Sequence, residues 1–156
     1  MNSSASPRLH WVSRSTTWAI AWVLWFITLT ILSSMSQPGP SIDLVGFDKV
    51  VHTVFFAIGG TVLALCLALK TPSSPANPPP APAWKKIALI VIVTGAVVGI
   101  LDEWHQKYTP GRTGLDTYDW LADILGSILA VFFARPIYRR LSKPATDHAS
   151  PRQAPG

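Results

Sequence analysis

A histidine and three carboxylates are the residues of this chain best suited to chemistry, because each lies beside or inside an apolar segment. His52 starts one such segment, Asp102 and Glu103 end another, and Asp123 lies inside a third. Histidine changes charge near neutral pH and can act as a general base, and a carboxylate can share that acid/base work. These four residues are therefore candidates for catalysis.

Four further polar residues are candidates for substrate binding: Lys49, Gln106, Arg112 and Asp119. Arg112 follows a Pro-Gly turn, and a guanidinium group can hold a phosphate or a carboxylate through two hydrogen bonds. An equally acceptable alternative is that Arg112 pairs with Asp116 or Asp119 and only fixes the loop.

Structural roles compete with these functional ones. Asp48 could cap a helix, while Asp116 and Asp119 have the spacing of a helix cap and a first-turn acid. Asp123 lies within a predicted helix, so capping does not explain it. His105 is expected to be solvated.

A divalent metal ion is compatible with the same cluster. His52, Asp123 and either Asp102 or Glu103 supply one nitrogen and several oxygens, a set that suits zinc, manganese or magnesium. No HExxH-type spacing is present. The sequence therefore leaves open whether a metal is bound.

The elements that position these residues are apolar helices. The chain has 156 residues, of which 49% are hydrophobic and only 13% are charged, about half the charged share of an ordinary soluble domain. This composition argues against a soluble enzyme. Four apolar blocks are long enough to cross a membrane, which predicts an all-α integral membrane bundle of four transmembrane helices. The predicted spans cover residues 17–35, 50–70, 86–106 and 119–140.

These spans define a membrane domain over residues 17–141, preceded by an N-terminal segment, 1–16. The Pro-rich linker 71–84 is expected to be an extended connector, and the polar tail 142–156 is expected to be disordered. The first span is longer than the apolar region of a typical signal peptide, which favours an uncleaved anchor. The small residues of LSSMS leave cleavage as an alternative.

The basic residues predict an orientation and a class of partner. Ten of the 13 Lys and Arg residues lie on the side of the two termini and the 71–84 linker, against three on the other side. The positive-inside rule then places both termini in the cytoplasm. Because the basic residues flank apolar segments and form no separate patch, they favour the bilayer and its anionic headgroups over nucleic acid.

Helix geometry places the candidate residues at a similar depth. The 15 residues between Lys86 and Asp102 rise only about 22 Å through a hydrocarbon core of about 30 Å. Asp102, and by similar reasoning His52 and Asp123, therefore lie within the outer part of the membrane, unless snorkelling basic side chains shift the helices. Small residues recur every four positions in spans two to four, and such ridges mark helix contacts. The polar groups are thus expected to line one outward-opening pocket.

Two segments resemble the signature blocks of the VanZ-like membrane protein family. They are DKVVHTVFFAIG, residues 48–59, and GILDEWHQKYTPGRTGLDTYDWLADILG, residues 99–126. They contain the family's DKxxH helix start, DExxQ helix end, PGR turn and D-x-L-A-D helix. The resemblance implies a small bundle of spanning helices in a bacterial inner membrane. Some members of that family are associated with tolerance of teicoplanin-type glycopeptide antibiotics.

Three functions remain open on these grounds. An outward-facing enzyme acting on a lipid-linked cell-wall precursor or another cell-envelope component would use His52 or Glu103 in acid/base work and Arg112 to hold an anion. A non-catalytic binding or scaffold module would hold the same headgroup or precursor without turnover. An ion or proton pathway is disfavoured, because the other halves of the spans contain no matching polar relay.

Overall fold

A computed structural model describes residues 14–36, 46–70 and 81–142, and in these ranges the chain forms four α-helices and no strand. The helices are α1 (Ser15–Ser33), α2 (Phe47–Ala68), α3 (Trp84–Gln106) and α4 (Thr117–Leu141). Each is long and apolar enough to cross a membrane, which confirms the predicted all-α bundle of four spans. The helices begin two or three residues before the predicted spans.

Most residues of the other predicted segments lie outside the described ranges. These are residues 1–13 of the N-terminal segment, 71–80 of the Pro-rich linker and 143–156 of the tail. Their predicted extended or disordered character therefore stays a prediction.

Small residues set the contact between α2 and α4, which is the most extensive in the bundle. A Cβ atom built on Gly126 of α4 would lie 2.9 Å from the backbone nitrogen of Ala57 in α2. One built on Gly60 would lie 2.7 Å from the Cβ atom of Ala130. The absence of side chains at these positions lets the two backbones approach closely. The predicted ridges in spans two and four are thus confirmed as contact surfaces.

The GxxxG pair of α3 packs against the same helix. Gly95 lies against Ser127 of α4, and Gly99 lies against Asp123. Both glycines are buried. The ridge on α3 therefore brings the end of that helix, with its two acids, beside the start of α4.

The first helix, α1, packs on the outside of this three-helix core. Its apolar window is 11% buried, against 39% for each of the other helices. Trp25 attaches it to α2 by stacking on Phe55, meeting Phe56 edge to face, and donating its indole N–H to the carbonyl oxygen of Phe55 at 3.0 Å. Packing is therefore the role of this tryptophan.

The two ends of the bundle differ in character. At one end, α1 and α3 finish and α2 and α4 begin, and nearly all buried polar side chains of the described residues lie there; we call this the polar end. The half of the bundle nearer the opposite end is filled by an apolar cluster. Its buried members are Ala64, Leu65, Ala68, Ile87, Val91, Ala130, Val131 and Ala134.

Candidate functional site

The centre of the polar end is a buried pair between His52 of α2 and Asp123 of α4. Nδ1 of His52 lies 2.9 Å from Oδ1 of Asp123, whose side chain is fully buried. The other oxygen, Oδ2, is buried without a hydrogen-bond partner among the described residues. A Cβ atom at position 99 would lie 2.6 Å from that oxygen, so Gly99 provides the space for the carboxylate. Two predicted candidates thus meet directly.

The two consecutive acids of α3 point to different neighbours. Asp102 accepts hydrogen bonds from the hydroxyl of Ser33 in α1 and, at 2.7 Å, from the amide nitrogen of Gln106. Glu103 turns toward α4, where its Oε2 accepts the backbone N–H of Asp116 at 2.7 Å. Successive residues of an α-helix diverge by about 100°. The DExxQ spacing therefore directs one carboxylate to α1 and the other to α4.

Lys49 joins the beginnings of α2 and α4. Its Nζ lies 2.7 Å from Asp48, 2.9 Å from Asp116 and 2.8 Å from Asp119, in each case from a carboxylate oxygen. Asp116 also caps α4, because its side chain accepts the N–H of Tyr118 at 2.8 Å, as its spacing predicts. The hydrogen bond from the Lys49 ammonium group and the one from the Tyr118 amide lower the pKa of Asp116, which lies outside the spanning helices.

A cavity of about 290 Å³ opens beside this cluster, between α1, α2, α3 and the loop that precedes α4. Four predicted residues are on its wall: His52, Asp102, Gln106 and Arg112. The other wall residues are Leu29, Leu32, Ser33, Asp48, Val51, Phe55 and Phe56. Five of these eleven residues are apolar and six are polar or charged, but most of the exposed surface of the wall is apolar.

The other four predicted residues are not on the wall of this cavity. Lys49, Glu103, Asp119 and Asp123 form a second polar layer that reaches the cavity through His52. The sequence predicts one pocket lined by His52, Asp102 and Asp123. The structure places His52 and Asp102 on the cavity wall, while Asp123 lies behind His52.

Arg112 makes no ion pair within the described ranges, although its Nε atom is buried, and that atom has no hydrogen-bond partner there. Backbone hydrogen bonds instead fix the loop between α3 and α4, in which Arg112 lies. The N–H of Arg112 donates to the carbonyl oxygen of Thr109, and the N–H of Leu115 donates to that of Glu103, both at 3.2 Å. The structure therefore does not have the predicted alternative in which Arg112 pairs with Asp116 or Asp119.

Residues at the end of α1 belong to the site but were not among the predicted ones. Ser33 donates to Asp102, and its own carbonyl oxygen accepts the hydroxyl of Thr109 at 3.0 Å. The hydroxyl of Ser34 lies 3.0 Å from Nε2 of His105, an otherwise exposed side chain. The sequence feature that could have indicated these residues is a pair of serines at the end of an uncharged apolar span.

Two groups of side chains have a spacing suited to a metal ion. One is His52, Glu103 and Asp119, and the other is Asp48, Asp116 and Asp119. The ammonium group of Lys49 contacts all three acids of the second group. A lysine therefore already neutralises part of the charge of that group where a metal ion would bind. Asp102, which the sequence allowed as a ligand, faces away from both groups.

The site can therefore hold an anion at Arg112 and carry out proton or ligand chemistry at His52. Comparisons of the chain with protein-family models, curated proteins and solved structures found no match.

Proposed function

We propose that this chain is a multi-pass membrane protein, VanZ-like in its two signature segments, that binds the anionic headgroup of a lipid-linked cell-envelope component. The observation that carries this proposal is the cavity at the polar end. Most of its exposed wall surface is apolar, and the wall includes Arg112, whose buried Nε atom has no hydrogen-bond partner in the described part of the chain. An apolar wall with one cationic group suits an amphiphile whose head is a phosphate or a carboxylate.

The charge around the cavity supports an anion held by Arg112. Lys49, the other cation of the polar end that is close to the acids, is in contact with three carboxylates. Asp102 has both of its oxygens occupied by Ser33 and Gln106. Among the described residues, Arg112 is thus the cavity residue with an unused hydrogen-bonding group for an anion.

The size of the cavity fits a headgroup. Its volume of about 290 Å³ lies at the lower end of the range for small-molecule pockets. A phosphate with a short adjoining segment fits this space, while a long lipid tail would remain among the helices and the bilayer. The exposed apolar side chains that cover the outside of the helices suit such a lipid environment.

His52 is the group through which the protein would act on the bound component. Its Nδ1 faces Asp123, so Nε2 is left with its lone pair when Nδ1 carries the proton. That atom can accept a proton or bind a cation. The apolar cluster that fills the other half of the bundle supports this proposal over an ion pathway, which needs polar continuity across the membrane.

Binding of a polyprenyl phosphate to the purified protein in nanodiscs tests the proposal. We expect Arg112→Ala to raise the Kd about tenfold or more, because a hydrogen bond to a charged group contributes about 1.5–3 kcal/mol. Lys107→Ala removes an exposed positive charge from the same end of the bundle and is the matched control. It should leave the Kd within about twofold of the wild-type value.

Two comparison ligands identify what is recognised. Polyprenol, which lacks the phosphate, should bind weakly, and inorganic phosphate should compete only at high concentration. Equal affinity for polyprenol and its phosphate, or an unchanged Kd in Arg112→Ala, would refute the proposal.

A further inference from the structure

We propose that His52, Glu103 and Asp119 bind a divalent transition-metal cation directly behind the cavity. One ligand atom of each residue lies within 4.8 Å of the other two. Nε2 of His52 is 4.0 Å from Oδ2 of Asp119, too far for a hydrogen bond. Two ligands bound to one ion at about 2.0–2.2 Å lie at most about 4.4 Å apart. The histidine and the aspartate are therefore within reach of one ion, and tetrahedral coordination would bring the two atoms to about 3.4 Å.

The unpartnered oxygen of Glu103 is an independent indication of a ligand. The side chain is only 2% exposed, and its Oε1 is buried with no hydrogen-bond partner among the described residues. The other oxygen, Oε2, is fixed by the backbone N–H of Asp116. A buried carboxylate oxygen without a partner is costly, and a bound cation would remove that cost.

The surroundings of His52 are those of a metal ligand. Metal-bound histidines nearly always donate their second ring N–H to a carboxylate or a carbonyl group, which fixes the ring and its tautomer. Asp123 is such a carboxylate, 2.9 Å from Nδ1 and fully buried. This leaves Nε2 with its lone pair on the side of Asp119.

Lys49 leaves room for the cation. It contacts Asp119 through Oδ1, whereas Oδ2 is the oxygen nearest to His52. The lysine has no ion pair with Glu103 within the described ranges. Asp119 can therefore bind the lysine with one oxygen and the metal with the other.

The donor set selects the class of metal. One imidazole with two carboxylates suits zinc or manganese better than calcium, which prefers oxygen ligands only. Three protein ligands leave at least one position open, as in catalytic zinc sites. The inference rests on the proposed function only for what would fill that position, a headgroup oxygen in the neighbouring cavity.

Titration of the chelator-treated, detergent-solubilised protein with zinc and with manganese, without any lipid phosphate, tests the site. We expect one ion per chain, with zinc bound more tightly. His52→Ala and Glu103→Gln should each weaken binding more than about tenfold. His105→Ala removes an exposed histidine from the same end of α3 and should leave the Kd unchanged.

The wild-type protein provides a measurement that does not depend on the folding of the variants. Pulsed electron paramagnetic resonance of bound manganese should show coupling to a histidine nitrogen. Absence of stoichiometric binding, absence of that coupling, or unchanged binding in folded Glu103→Gln would overturn the inference. None of these outcomes affects the Arg112 experiment, so the two proposals can fail separately.

Discussion

The side chain of Asp123 depends on one partner, because His52 forms the only hydrogen bond that its carboxylate makes within the described part of the chain. Removing that partner leaves a buried charge uncompensated. His52→Ala should therefore destabilise the protein by about 3–5 kcal/mol. Chemical unfolding in detergent micelles, followed by circular dichroism, measures this loss.

The double variant His52→Ala/Asp123→Ala is the control for that experiment. It removes the carboxylate together with its partner, so its loss of stability should be clearly smaller than the sum of the two single losses. Strict additivity of the two losses would show that the pair contributes little, despite its burial.

At the scale of the helix, Gly126 is a position of α4 where an added side chain would meet the backbone of α2. A methyl group there would meet the carbonyl oxygen of Thr53 and lie 2.9 Å from the nitrogen of Ala57. Gly126→Ala should lower the free energy of unfolding by about 1–3 kcal/mol through overpacking. Intrinsic helix propensity alone predicts the opposite sign.

Leu125→Ala is the matched control for the glycine substitution. Leu125 is the neighbouring residue, and its side chain is 49% exposed on the outer surface of the bundle. The control should change the unfolding free energy less than Gly126→Ala does. A stabilising effect of the alanine at position 126 would contradict the close approach of α2 and α4.

The helices and their contact faces were predictable because they depend on local patterns. Hydropathy marks the spans, and four-residue spacing of small side chains marks the ridges, as at Gly60 and Ala64 or at Gly126 and Ala130. The cavity was harder to predict from the sequence, because part of its wall comes from the loop before α4. There Gly111, Gly114 and even Leu115 have positive φ angles of 79°, 55° and 57°. No periodic pattern in the sequence specifies this backbone conformation. The direction of the Arg112 side chain could therefore not be predicted.

At the scale of the whole molecule, the distribution of basic residues predicts that the polar end faces outward. Cysteine labelling in intact bacterial cells tests this. In a Cys66→Ala background, which removes the chain's only thiol, a membrane-impermeant maleimide should modify Thr113→Cys at the polar end. It should modify Ser142→Cys, after α4, only once the cells are opened. Both positions are exposed. The reverse pattern would place the cavity on the cytoplasmic side.

The wide separation in sequence between His52 and Asp123, 71 residues, has a consequence for biosynthesis. The ribosome completes α2 long before α4, so His52 enters the membrane while Asp123, its partner, is still untranslated. A nascent chain arrested before α4 would expose this histidine to the membrane without its carboxylate. Quality-control proteases that recognise exposed polar residues in spanning helices should remove it.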